Sequence, residues 1–147
     1  MSNFKNPLDK NLPKTIRIGV WASYLSAFML IGIGIFWIAH PAASEGSFSI
    51  TPDSDAAISF AKITAIFKAV GDIIPPIFVL LALGLHQFRL AGYFHVVTLV
   101  FVIVVDMITW ATFVPDAQLT DVLQHVPFAL PIIIAAYCFL KSPSKPN

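Results

Sequence analysis

The sequence predicts an all-α protein, a four-helix transmembrane bundle with both termini cytoplasmic. Three observations carry that prediction. Of the 147 residues, 57% are hydrophobic and only 12% charged, about half the charged fraction of a typical soluble domain, and the mean hydropathy is +0.80. The apolar residues fall into four stretches separated by polar, turn-like segments. The loops between those stretches alternate strictly in charge, which sets an orientation. At this length the chain reads as one integral membrane domain spanning residues 1–147.

The first span covers residues 18–39 and contains no charge. At ~1.5 Å per residue it is long enough to cross ~30 Å of hydrocarbon. Its basic start and the following AHPAAS also suit a secretory signal, but the apolar run exceeds the roughly 7–15 residues of a signal core, so a retained span is expected. The second span follows the turn-like TPDSD and covers residues 57–86. The third covers residues 90–114, interrupted by His95 and Asp106. The fourth covers residues 122–140 and is closed by Lys141.

Orientation follows from the cations. Lys5, Lys10, Lys14 and Arg17 precede the first span, Arg89 lies between the second and third, and Lys141 and Lys145 follow the fourth. The other two loops hold Glu45, Asp53, Asp55, Asp116 and Asp121. Lys and Arg collect on the cytoplasmic side, so the acidic loops are expected outside. Bacterial inner membrane and fungal endoplasmic reticulum both fit this pattern. The single cysteine, Cys138, excludes an internal disulfide and a CxxC redox pair. No basic patch with interleaved aromatics is present, so nucleic acid is not an expected partner.

Topology converts positions into depths. Lys68 and Asp72 fall in the outer half of the second span. Asp106 lies ~12 Å below the outer end of the third at ~1.5 Å per residue. His125 lies within about one turn of the outer surface. Three spans thus bring Lys68, Asp72, Asp106 and His125 to one layer. Lys68 and Asp72 are four residues apart and share a helix face, as do Asp106 and Trp110. The first span adds Trp37 and His40 at its outer end, and Tyr24 deeper. His86 and His95 fall towards the inner side, where His95 reads as a core or interhelical hydrogen-bonding residue. Each polar residue also has a bland reading, with Lys68 neutralising Asp72 and both Trp37 and Trp110 serving as interfacial belt residues. The glycines of IGIGIF allow close helix approach and form no nucleotide motif.

Prolines sharpen the layer. Pro75 and Pro76 lack the N–H groups that would bond the carbonyls of Gly71 and Asp72, and Pro127 and Pro131 are expected to free those of Leu123 and Pro127. Bare carbonyls in a membrane need a side chain, water or ligand, so a cavity open towards the outer half is expected.

A carboxylate inside a membrane is expensive and usually functional. Lys68 favours an ionised Asp72 and apolar burial favours a protonated Asp106, which is the division of labour acid–base chemistry requires. The expected function is therefore a membrane-embedded enzyme for a lipophilic small molecule, acting by epoxide opening or hydrolysis, cyclisation or double-bond isomerisation. Asp72, Asp106, His125 and Lys68 are the catalytic candidates, and Trp110, Trp37, Tyr24 and His95 the substrate-binding candidates. No cofactor is expected. The chain has no HExxH spacing for zinc, and His95 lacks a second histidine at its depth for haem. The bilayer and the substrate are the expected partners, with a homo-oligomer left open. The alternative is a small-molecule or proton-coupled transporter or binding protein using the same aspartates. Small four-span multidrug exporters share the length, but their first span carries a glutamate that this one lacks.

The segments FKAVGDIIPPIFVLLALG, HQFRLAGYF, VIVVDMITW and LQHVPFALPIIIAAY together resemble a small four-span membrane domain family of unknown function, found in fungi and bacteria and broadly related to DoxX-like proteins. The resemblance covers roughly residues 15–140. It implies roles for Asp106 and for His125, the histidine that opens the fourth span. In that family a basic residue usually stands directly before the aspartate of the second span, where this chain has Gly71 and carries Lys68 one turn earlier. Some fungal relatives look like accessory enzymes of natural-product pathways, which implies small-molecule chemistry.

Overall fold

The computed structural model describes residues 6–41, 53–113, 118, 123 and 125–141. Within the helices, the side chains of Val102, Asp106, Thr109, Trp110 and Phe113 lie outside the described set. All regular structure among the described residues is helical: α1 (Lys14–Ala39), α2 (Asp55–Gly84), α3 (Phe88–Thr98), a π-helical segment (Leu99–Val104), α4 (Val105–Phe113) and α5 (Val126–Lys141). α1 and α2 are long and apolar enough to cross a membrane.

Helix boundaries follow local chemistry more closely than hydropathy does. α1 begins four residues before the expected span, directly after Pro13, because Lys14 and Arg17 suit a helix as well as the apolar residues beyond them. α2 begins at Asp55, since the Ser54 hydroxyl caps it by accepting from the Ala57 N–H at 3.3 Å, and an acidic first-turn residue favours the positive end of the helix dipole. It then runs 30 residues straight through Pro75 and Pro76, which do not end it. α5 begins later than expected. Pro127 therefore sits in its first turn, where a missing N–H leaves no helical carbonyl unpaired. The expectation that Pro127 frees the Leu123 carbonyl from a helix is corrected accordingly. Pro131 alone lies in the α5 interior.

The turn between α2 and α3 is tight. His86 N–H donates to the Leu83 carbonyl at 2.9 Å, and Gln87 N–H to the Ala82 carbonyl at 2.8 Å. This is a Schellman ending with His86, at φ 55°, in the left-handed position that glycine usually fills. The His86 ring also reaches the Asn6 carbonyl at 2.9 Å and ties the segment preceding α1 to the same turn.

Close approaches set the arrangement as up–down–up–down. A Cβ at Gly19 of α1 would lie 2.6 Å from the Phe139 ring of α5 and 3.0 Å from the Cys138 Cβ. One at Gly92 of α3 would lie 3.0 Å from Leu140. The start of α1, the α2–α3 turn and the end of α5 thus meet at one end of the bundle, here called the turn end. Its core is Ile16, Val20, Val79, Ala82, Leu83, Ala91, Ala135 and Phe139.

The buried positions of α1 (Ile16, Val20, Ser23, Ala27, Leu30, Gly34, Trp37) and of α2 (Ala65, Ala69, Asp72, Pro76, Val79, Leu83) repeat every three and four residues. That is the period of gently supercoiled antiparallel helices. Much of this interior is small, whereas the outward faces carry large apolar side chains such as Phe28 at 79% and Phe67 at 72% exposure.

Candidate functional site

α2 supplies the first half of the candidate site. Lys68 and Asp72 stand one turn apart, and Asp72 is buried at 5% exposure in the inward register of α2, among Ala65, Ala69, Pro76 and Val79. Lys68 is half-buried. Asp72 is the charged residue in a row of small and apolar ones. Pro76 lies one turn further on and is itself buried, leaving the Asp72 carbonyl without a helical N–H.

α1 meets this turn of α2 closely. A Cβ at Gly34 would lie 2.6 Å from the Ile73 side chain and 3.0 Å from the Ala69 carbonyl oxygen. Only a glycine lets the two backbones approach so near at that point. Gly32 of the same IGIGIF motif faces open space, so one of its glycines serves the crossing and the other does not. Trp37 is three residues beyond Gly34 on the same face and is 7% exposed. Its ring meets Phe36 edge-on at 5.4 Å. The indole Nε1 is buried and has no hydrogen-bond acceptor among the described residues.

From the other helices, His125 lies in a short 3₁₀ turn immediately before α5 and is half-buried. Lys68, Asp72 and His125 all have interaction partners. Asp106 and Trp110 fall on α4, and their side chains lie outside the described residues. What sequence reading does not show is the π-helical segment Leu99–Val104 directly before α4, where the Val105 N–H reaches back five residues to the Val100 carbonyl. Such a widened turn rotates the following helix relative to an ideal one, and π-segments recur at functional sites. The run LVFVIV carries no periodic signal for it.

Two substrate-binding candidates belong elsewhere. His95 is buried on α3 and its Nε2 lies 2.7 Å from the Ser23 Oγ of α1. Ser23 Oγ also donates to the Gly19 carbonyl at 2.8 Å. A hydroxyl has one proton, so the oxygen that donates it to Gly19 accepts from His95 Nε2–H. The ring stacks on Phe139 with centroids 6.3 Å apart. His95 is therefore an interhelical strut at the turn end, two turns of α2 away from Asp72 at the level of Val79. Tyr24 packs against the turn-end core and lines a groove of about 320 Å³ with Phe28, Gly32, Ile35 and Leu80. That groove opens on the outward face bearing Phe28, and it is not the outer-half cavity expected beside Asp72.

Among the described residues, no three His, Cys, Asp or Glu side chains gather as metal ligands. No known protein family, curated protein or solved structure matches the chain.

Proposed function

We propose that the protein is a multi-pass membrane enzyme performing acid–base chemistry on a lipophilic small molecule, with epoxide opening by water as the leading reaction. The buried Asp72 carries this reading. A carboxyl group held at 5% exposure in an otherwise apolar helix register is expensive and is retained where it has chemistry to do.

The membrane part is supported by the distribution of side-chain size. Exposed Phe28, Phe60, Phe67 and Phe101 face outwards, while glycine, alanine and serine pack the α1 interior. A contiguous outward surface of this kind is unsuited to water, and small residues at helix contacts are the rule in lipid. On charge alone, the ends of the bundle carrying Lys14, Arg17, Arg89 and Lys141 lie in the cytoplasm. The resemblance to a small four-span membrane domain family of unknown function, some of whose fungal relatives look like accessory enzymes of natural-product pathways, supports the same substrate class.

In epoxide hydrolysis one carboxyl donates its proton to the epoxide oxygen as the C–O bond breaks. The other carboxylate takes a proton from the attacking water as the new C–O bond forms. Water is the only co-reactant, and a diol is the product. Asp72 and Asp106 are assigned those two roles, Lys68 supplies a cation one turn from Asp72, and His125 orients the water or relays its proton.

Purified protein in liposomes, supplied with long-chain epoxides, tests this. Asp72→Asn and Asp106→Asn should each lower turnover at least about 100-fold while leaving the helical fold unchanged. Full turnover in either correctly folded variant removes that aspartate from the mechanism. Proton-coupled uptake without turnover in the same liposomes would assign the site to transport instead.

A further inference from the structure

We infer that Trp37 is the hydrogen-bond donor that recognises the ligand, and that the ligand therefore carries an oxygen acceptor, such as that of an ether, epoxide or ketone. This inference rests on the ligand site proposed above at Asp72, but not on its chemistry.

A buried polar N–H is almost always paired, because leaving it unpaired costs about 1–3 kcal/mol. Trp37 Nε1 is buried in the 7%-exposed side chain and has no acceptor among the described residues. An interfacial belt tryptophan would instead keep its N–H at the water boundary. Trp21, on the same helix, is 61% exposed and fits that role.

Position makes the orphan donor specific. Gly34 clamps α1 onto the Ala69–Ile73 turn of α2, so the two antiparallel helices are locked in register there. Asp72 precedes Ile73 by one residue, and Trp37 follows Gly34 by three. Both buried polar groups thus lie within about one helical turn of a single tight crossing, on the inward faces of their helices. One is a carboxyl group with proton chemistry. The other is a rigid donor that neither ionises nor accepts. A ligand oxygen satisfies the indole, and the remainder of a lipophilic ligand fits the apolar surroundings.

The test measures binding rather than turnover. The full-length protein is labelled at the tryptophan indole nitrogen in lipid nanodiscs. Its three indole N–H resonances are assigned with Trp21→Phe and Trp110→Phe, and it is titrated with an unreactive long-chain dialkyl ether or with the alkane of equal length. The ether should move the Trp37 N–H downfield and the alkane should not, and Trp37→Phe should weaken ether binding about tenfold without changing alkane binding. A Trp37 resonance that the ether leaves in place overturns the inference, whether a lipid ester or water holds the N–H. Equal ether and alkane affinities in the unmodified protein also overturn it. If Trp37→Phe fails to fold, the resonance shift in the unmodified protein still decides. Loss of the catalytic reading registers separately, as unchanged turnover in the aspartate variants.

Discussion

The turn end of this bundle and the region of the α1–α2 crossing treat polarity differently. At the turn end, the buried polar groups are paired and packed. His95 meets Ser23, Ser23 meets the Gly19 carbonyl, and Ser26 bonds the Ser23 carbonyl at 3.0 Å. Phe139 lies over His95 and beside Phe88 at 5.8 Å. Midway along α2, Asp72 is buried in an apolar register, and towards the end of α1 Trp37 keeps an N–H with no acceptor among the described residues. Polarity that is fully satisfied within the fold holds helices together. On the function proposed above, the Trp37 donor is where a ligand would bind. On the proposed function, the difference would separate a structural region from a working one, although histidine, serine and aspartate residues occur along the whole chain.

The largest expected effect breaks the structural region. Phe139 is fully buried and touches the space left by Gly19, the His95 ring and Phe88. Phe139→Ala leaves a cavity at the meeting point of α1, α3 and α5 and should lower stability by about 3 kcal/mol, read as a large fall in the thermal midpoint in detergent. Asp72→Asn should do the reverse. The neutral amide nearly matches the carboxyl in size, so stability should change by less than about 1 kcal/mol while turnover collapses as predicted above. If Phe139→Ala proves harmless to stability and Asp72→Asn ruinous to it, the division between the two regions fails.

A smaller effect sharpens the assignment of His95. Ser23→Ala removes the group that receives His95 Nε2–H, and a buried interhelical hydrogen bond in a helix bundle contributes about 1 kcal/mol. The variant should lose that much stability and keep its turnover. A loss of turnover at unchanged stability would return His95 to the substrate site.

How much of this was legible in the sequence differs by level. The helices were, because long uncharged stretches and turn segments such as TPDSD bound them directly. Their inward faces were not. Trp21, Leu25 and Phe28 point outwards while Ser23, Ser26 and Gly34 point inwards beside Val20 and Leu30, so large apolar residues lie on both faces and hydropathy carries no phase. Asp72 stood out because a carboxyl group in such a run has few explanations. The Gly34 crossing was half legible. IGIGIF announces close approach, but only the three- and four-residue period of the buried positions selects Gly34 over Gly32. The pairing of Ser23 with His95 joins residues 72 apart in sequence, and no local pattern encodes it. The π-segment depends on how α3 and α4 must each pack, which LVFVIV does not record.

The smallest effect concerns how the turn end is fixed. His86 adopts φ 55°, where a Cβ is strained and glycine is not. Its ring offsets part of that strain by reaching the Asn6 carbonyl at 2.9 Å, in an exposed contact. Two substitutions separate the contributions. His86→Ala removes the ring and keeps the strain, so it should destabilise the protein. His86→Gly removes the ring and the strain together, so it should sit close to the unmodified protein. The difference between the two variants should be about 1 kcal/mol, read as the difference in their unfolding free energies under identical conditions. Both should retain full turnover, because the turn lies about three helical turns from Asp72 along α2. Equal stabilities would mean that the backbone relaxes out of the left-handed region once the ring is gone, and that the Asn6 contact, rather than the Schellman ending, holds the turn closed.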